Sequence, residues 1–338
     1  MNRLYKPGKQ DNRPDRFLLF FLTFSFLIFW VTVPGPAWAL EKSSPVAQGD
    51  FLSLGVIAQY TFSSHTSYEF GNPLPPYQSR LSRLEFPLDA WWAGAELKAR
   101  FPRFSIGFKA LTNVSQEALG RMRDSDWDNE ANLSQKSIYS ESNCRLDPSY
   151  FLEVEGDLKV SDWLSLPSDL DLRPVIGYRW QKFNFVTHDG SQLALGEEPV
   201  PLPGNTLKFE QTYKQIFLGV RGNLDLGKWG WLGRLTTLLQ IDWAYVEGSN
   251  QDQHLLRTGN RFTYEDTTGQ AWHESIALKA YLAKQVALTL KADFIQIATT
   301  GTHRLVNAPL GIDFKFSNGV KVWSDQNSIS LMLEYAFY

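Results

Sequence analysis

Two short motifs carry the residue types that acid–base chemistry needs. The first is Asp124-Ser125-Asp126, followed by Trp127, and the second is Asp252-Gln253-His254. In an extended backbone, residues two apart point the same way, about 7 Å apart at the backbone. Two carboxyls placed so repel as anions, which raises the pKa of one of them and lets it hold a proton near neutrality. An aspartate beside an imidazole fixes its tautomer and stabilises its charged form, leaving the other ring nitrogen as a general base. Each motif has a plainer reading as well. A solvated acidic segment or a Ca²⁺ site would show the first spacing, and a D-x-H pair arises often by chance.

The elements that must position these motifs are strands. From Val286 the side chains alternate: Val286, Leu288, Leu290, Ala292 and Phe294 share one face, opposite Thr289, Lys291 and Asp293. The last stretch repeats this, with Ile329, Leu331, Leu333, Tyr335 and Phe337 on one side and Ser330 and Glu334 on the other. Similar runs centre on Leu239, Ile241, Trp243 and Tyr245, and on Leu172, Ile176, Tyr178 and Trp180. Period two over such lengths predicts strands with one apolar and one polar face, and no sustained helical period accompanies it.

Composition narrows the setting. The chain has 338 residues, a net charge of -3, 14% aromatics and one cysteine. That aromatic content excludes disorder, and the lone Cys144 excludes an internal disulfide framework or a cysteine-ligated zinc cluster. Cys144 reads as a free thiol in a long link. No concentrated basic surface suggests nucleic acid as a partner. The run Phe17 to Val33 follows Arg3, Lys6, Lys9, Arg13 and Arg16 and precedes Ala37-Trp38-Ala39. This is the layout of a secretory signal peptide spanning 1–39, cut after Ala39, with the mature domain at 40–338.

Exported alternating strands fit either a soluble sandwich or an outer-membrane barrel. Aromatics near strand ends, a chain that finishes on a strand, and charged residues on the polar strand faces favour the barrel, whose lumen tolerates them. Tight links at Arg100–Arg103, Ser165–Ser168, Asp225–Trp231 and Ala283–Gln285 alternate with long polar links near Glu69–Gln78, Leu119–Asp147, His188–Asn205, Gly248–Asn260 and Gly301–Val320. Short turns belong on the periplasmic side and long loops outside. The expected fold is all-β: a ten-stranded antiparallel transmembrane β-barrel with long extracellular loops, two of which carry the motifs.

Together with Leu52-Ser53-Leu54-Gly55, Ile106-Gly107, Ile176-Gly177-Tyr178, Phe209-x-Gln211-x-Tyr213-Lys214, Leu218-Gly219 and Arg261-Phe262-Thr263-Tyr264, the two motifs make the chain resemble the omptin family of outer-membrane endoproteases. The resemblance runs from about Leu52 to Phe337. It implies the outer membrane of a Gram-negative-type bacterium, peptide or protein substrates, and catalysis by Asp124, Asp126, Asp252 and His254 on a water, with neither metal nor cofactor. It also implies lipopolysaccharide on the outer face, on which activity depends, with Tyr178 and Lys182 as the matching lipid-binding positions. Omptins hold a basic side chain on carboxylates at the pocket floor; the matching substrate-binding positions are Ser63 and Asn250, both uncharged. Glu69 or Glu247 would be the nearest replacements, and the expectation is a specificity altered from dibasic. A non-catalytic barrel of the same build, acting as adhesin or surface receptor, is the alternative. A diffusion porin fits less well, because ten strands leave a lumen filled by side chains.

Overall fold

The computed structural model describes residues 51–337, apart from 73–77, 130–131, 231–232, 258 and 260. The signal segment read at 1–39 lies outside the described residues. The strands are β1 (Phe51–Thr61), β2 (His65–Asn72), β3 (Gln78–Pro87), β4 (Trp91–Arg100), β5 (Phe104–Asn113), β6 (Glu117–Asp126), β7 (Ile138–Leu158), β8 (Leu170–Ala194), β9 (Val200–Lys228), β10 (Arg234–His254), β11 (Arg261–Tyr281), β12 (Val286–Asn307) and β13 (Ile312–Phe337).

All pairings are antiparallel and the sheet closes on itself. In the lower ring the order is β1-β4-β5-β7-β8-β9-β10-β11-β12-β13, and β13 returns to β1, with Leu52 opposite Phe337. In the upper ring β2, β3 and β6 take the places of β1, β4 and β5. Three of the ten staves are thus interrupted once, at 62–64, 88–90 and 114–116, and the other seven run through. The first interruption is fixed by Asp89, whose two carboxylate oxygens accept the backbone N–H groups of Ser63 and Ser64 at 3.0 and 2.7 Å.

The predicted faces hold. Ile329, Leu331, Leu333, Tyr335 and Phe337 are exposed on the outside, while Ser328, Ser330, Glu334 and Ala336 are buried inside. On β8, Ile176 and Tyr178 face out and Val175, Arg179 and Gln181 face in. The apolar outer band is bounded above by aromatics such as Trp91, Tyr150, Tyr245 and Trp272. Within it the lumen is occupied by ion pairs, among them Arg179–Glu153 at 2.7 Å, Arg221–Asp157 at 2.7 Å and His273–Asp293 at 3.0 Å. Buried charges of this kind persist because each is paired.

The long loops are corrected to strands. Links between staves on the outer side are short: 127–137, 195–199, 255–260 and 308–311. The segments expected to wander, including 119–126, 138–147 and 248–254, continue the sheet above the apolar band. Their outer face meets water instead of lipid, so the outward apolar stripe that marks a membrane strand disappears. Cys144 is corrected likewise: it is fully buried on β7, opposite Thr187, and not in a loop. Its thiol is pushed up by burial, so it is an inert packing group.

Candidate active site

Both motifs sit at the upper ends of strands, seven or more residues beyond the aromatic boundary. Asp124 and Asp126 close β6, where they pair in register with Leu84 and Ser82 of β3. The end is pinned on both sides. Trp127 donates its backbone N–H to Leu81 O at 2.8 Å, and Ser137 donates N–H and Oγ–H to Asp126 O at 2.9 and 3.1 Å. The Trp127 ring is covered by the Arg80 guanidinium, 3.9 Å from its centroid. The tryptophan of the D-x-D-W motif is therefore the wedge that fixes the direction of the two carboxyls.

Asp252 and His254 end β10, between β9 and β11. His254 is opposite Leu207 and Arg261, and Leu255 N–H bonds Thr206 O at 3.0 Å just past the strand. Asp252 is fully buried and points inward. Its Oδ2 accepts the Tyr68 hydroxyl and lies 3.1 Å from His254 Nε2. Arg261 Nη2 lies 2.9 Å from that same ring nitrogen. Nε2 can give a proton to the carboxylate or accept one from the guanidinium, but not both. Protonation of His254 and the Arg261 hydrogen bond therefore exclude each other.

Three strands separate β6 from β10 around the ring, yet the motifs converge across the lumen. Asp124 and His254 line one cleft of about 230 Å³, together with Ser140, Ser142, Thr206 and Leu207. Asp124 Oδ1 and Asp252 Oδ1 are both buried without a hydrogen-bond partner among the described residues. Burial pushes the Asp124 carboxyl up to about 7, with the Asp126 charge adding to the effect and His254 opposing it. Burial also raises Asp126, against the pull of the Ser82 hydroxyl. The arrangement offers a carboxyl that titrates near neutrality facing an imidazole backed by a buried carboxylate.

The remaining sequence-derived positions separate. Asn250 is buried two residues below Asp252, level with Gln211 and Glu265, and its Nδ2 lacks a partner among the described residues. Ser63 does not join it. It lies exposed at the β1–β2 bend with φ 49°, bonded to Asp89 and Asn327, where the stave is interrupted at 62–64. Glu69 is ion-paired with Arg83, and Glu247 is exposed on the outer face. On the outside of β8, Tyr178 is exposed and Lys182 Nζ lies 3.0 Å from Glu210.

Sequence reasoning missed three neighbours. Tyr68 lies on β2, which alternation alone does not bring to β10. Glu265 is buried beside Asn250 and accepts from His303 Nδ1 at 2.8 Å; burial raises its pKa. Arg261 stands in the Arg261-Phe262-Thr263-Tyr264 motif, whose spacing does not announce the contact to His254.

A closed ten-stave ring with a wet, ion-paired lumen and an apolar outer band is an outer-membrane β-barrel, here with a polar cleft at its outer mouth. The Omptin family model matches residues 81–337, and the chain belongs to that family in the bacterial outer membrane. Among solved structures it is similar to the outer membrane protease OmpT from Escherichia coli, at 15% identity and a TM-score of 0.72, over 88% of this chain and 100% of that one. The translocator domain of the autotransporter NalP from Neisseria meningitidis matches at 10% identity and a TM-score of 0.34, over 96% and 98% of the two chains. The outer membrane protein OprG from Pseudomonas aeruginosa matches at 12% and 0.35, over 86% and 96%. No curated protein matches the sequence.

Proposed function

We propose that this barrel is an outer-membrane endopeptidase that hydrolyses peptide bonds with a water activated between Asp124 and His254. The observation that carries the reading is convergence: two motifs far apart in the sequence meet at one cleft, with Asp252 held 3.1 Å from the imidazole. In the reactive tautomer His254 Nε2–H donates to Asp252, which gives up the Arg261 contact and leaves Nδ1 as the base. As the water attacks the scissile carbonyl, Nδ1 takes its proton and Asp252 stabilises the imidazolium; His254 then returns the proton to the leaving amine as the C–N bond breaks. Ionised Asp124 holds the water from the opposite side, and the Asp126 charge adds to the burial that raises the pH at which that ionisation occurs. Family membership supports the reading, as does the fold shared with an outer membrane protease.

The test is digestion of a peptide library by refolded barrel in lipopolysaccharide-containing micelles, with His254→Ala as control. Internal cleavage lost in the variant, insensitive to chelators, is the expected result. EDTA inhibition reversed by added metal would count against a histidine-activated water. Omitting lipopolysaccharide tests the lipid dependence, and Tyr178→Ala tests whether the outer face of β8 contributes. Because Lys182 already pairs with Glu210, its substitution should weaken that dependence only slightly.

A further inference from the structure

The cleft beside the two motifs runs to one side only, toward β7, β8 and β9. Its wall there is made by Met122, Ser140, Ser142, Thr187, Thr206 and Leu207. Met122, both serines, Thr187 and Leu207 are buried, and the two threonine hydroxyls bond each other at 2.6 Å. Among the described residues, Asp124 is the one carboxylate that lines the cleft, and the one guanidinium or ammonium on it is that of Arg257 at the exposed rim. A lysine or arginine entering this space would find only Asp124, already engaged with the reacting water, and would pass a guanidinium on the way; a buried charge without a free partner costs several kcal/mol. An uncharged side chain would meet methyl groups, a thioether and hydroxyls. The cleft's volume of about 230 Å³ has room for a branched aliphatic or an aromatic ring.

We propose that this cleft is the subsite for one residue flanking the scissile bond, and that it selects an uncharged, medium-to-large side chain and rejects a basic one. The assignment rests on the endopeptidase reading and deepens it. A peptide lying between β6 and β10 has its reacting carbonyl between Asp124 and His254, so the side chain on the β7–β9 side falls into the hydroxyl-and-leucine wall. The Arg257 rim adds a mild preference for an acidic residue next along the substrate.

Cleavage-site profiling of the wild-type barrel on a randomised peptide library is the first measurement. Expected is one position adjoining the cut enriched in Leu, Met, Phe or Tyr and depleted in Lys and Arg at least tenfold. Thr206→Asp and, separately, Ser140→Asp place a carboxylate in the wall and should shift that same position toward Lys and Arg, leaving the other side of the cut unchanged. Heat-modifiable gel mobility identifies any variant that does not fold, and the second variant then carries the test. Affinity selection of the same library on the His254→Ala barrel reads the subsite without chemistry. If nothing is cleaved, the endopeptidase reading fails, while enrichment of uncharged residues in the selection still supports the pocket. A requirement for basic residues on both sides of the cut would overturn the proposal. So would a profile that neither carboxylate variant alters, or a selection blind to side-chain charge.

Discussion

In the proposed mechanism Asp124 holds the attacking water, and the same carboxyl destabilises the fold when it ionises. Its carboxyl sits at about 7 in the folded barrel against an ordinary value of 3.8, because burial and Asp126 disfavour the anion. The folded state therefore binds the proton more tightly than the unfolded chain, and stability falls as pH rises from about 4 through about 7. Asp124→Asn, which mimics the neutral form, should abolish activity yet raise the unfolding temperature at pH 8 and leave it unchanged at pH 4, as followed by gel mobility on heating. The effect at pH 8 is on the order of a few kcal/mol. Asp126→Asn removes the like charge, so the pH at which Asp124 ionises drops and the acid limb of the kcat/KM profile should move to lower pH. An unmoved limb would mean that Asp126 does not tune Asp124. Because the two carboxyls titrate together, the limb reports the pair and not one residue. Tyr68→Phe deletes the hydroxyl that Asp252 accepts and leaves the ring stacked on Phe209 at 5.3 Å. A hydrogen bond to a charged group contributes about 1.5–3 kcal/mol. Steady-state kinetics should then show kcat reduced about 10- to 100-fold with KM little changed, whereas a KM effect alone would place Tyr68 in substrate binding. The carboxyl pair and the Asp–His pair were legible because spacing two in an extended chain has one geometric meaning. Tyr68 was not, since its place beside Asp252 depends on strand tilt and on how the staves face one another across the lumen.

At the scale of the strand, the outer half of the barrel is what carries the motifs to their meeting point. β10 runs without interruption from Arg234 to His254, so Asp252 is positioned by the same ladder that crosses the membrane. Sites on such elements are held more exactly than sites on loops. The sequence pattern identified the membrane-level strands by their greasy faces, as with Ile329 to Phe337, but read 119–126 and 248–254 as loops because the lipid-facing signal stops where lipid stops. The match that gives Ser63 assumes one uninterrupted first strand, and the bend at 62–64 breaks that strand. Amide exchange separates the two descriptions. Peptides covering 119–126, 138–147 and 248–254 should be protected nearly as well as the membrane-level ladder, while the exposed stretch 132–136 should exchange within seconds. Rapid exchange throughout these segments would mean that the upper ring does not persist in solution.

The barrel formed by the described residues is a plugged cylinder. Beginning level with Asp252, Phe209 stacks on Phe86 at 4.3 Å, and Phe185 lies 5.0 Å from Phe86, forming an aromatic layer in the lumen. Beneath that layer lies the ion-paired interior around Arg179, Asp242 and His273. Planar-bilayer recording should accordingly find no steady conductance, and open-channel steps would argue for a transport role. The ring closes where Leu52 meets Phe337, so the first and last strands are neighbours at the lower rim. Motif order along the polypeptide is therefore an accident of where the ring happens to be cut. A circular permutant that fuses residue 337 to residue 51 and opens the chain between β8 and β9 would place the Asp–His pair ahead of the aspartate pair. It should still assemble the same site, because the barrel has neighbours and levels but no beginning.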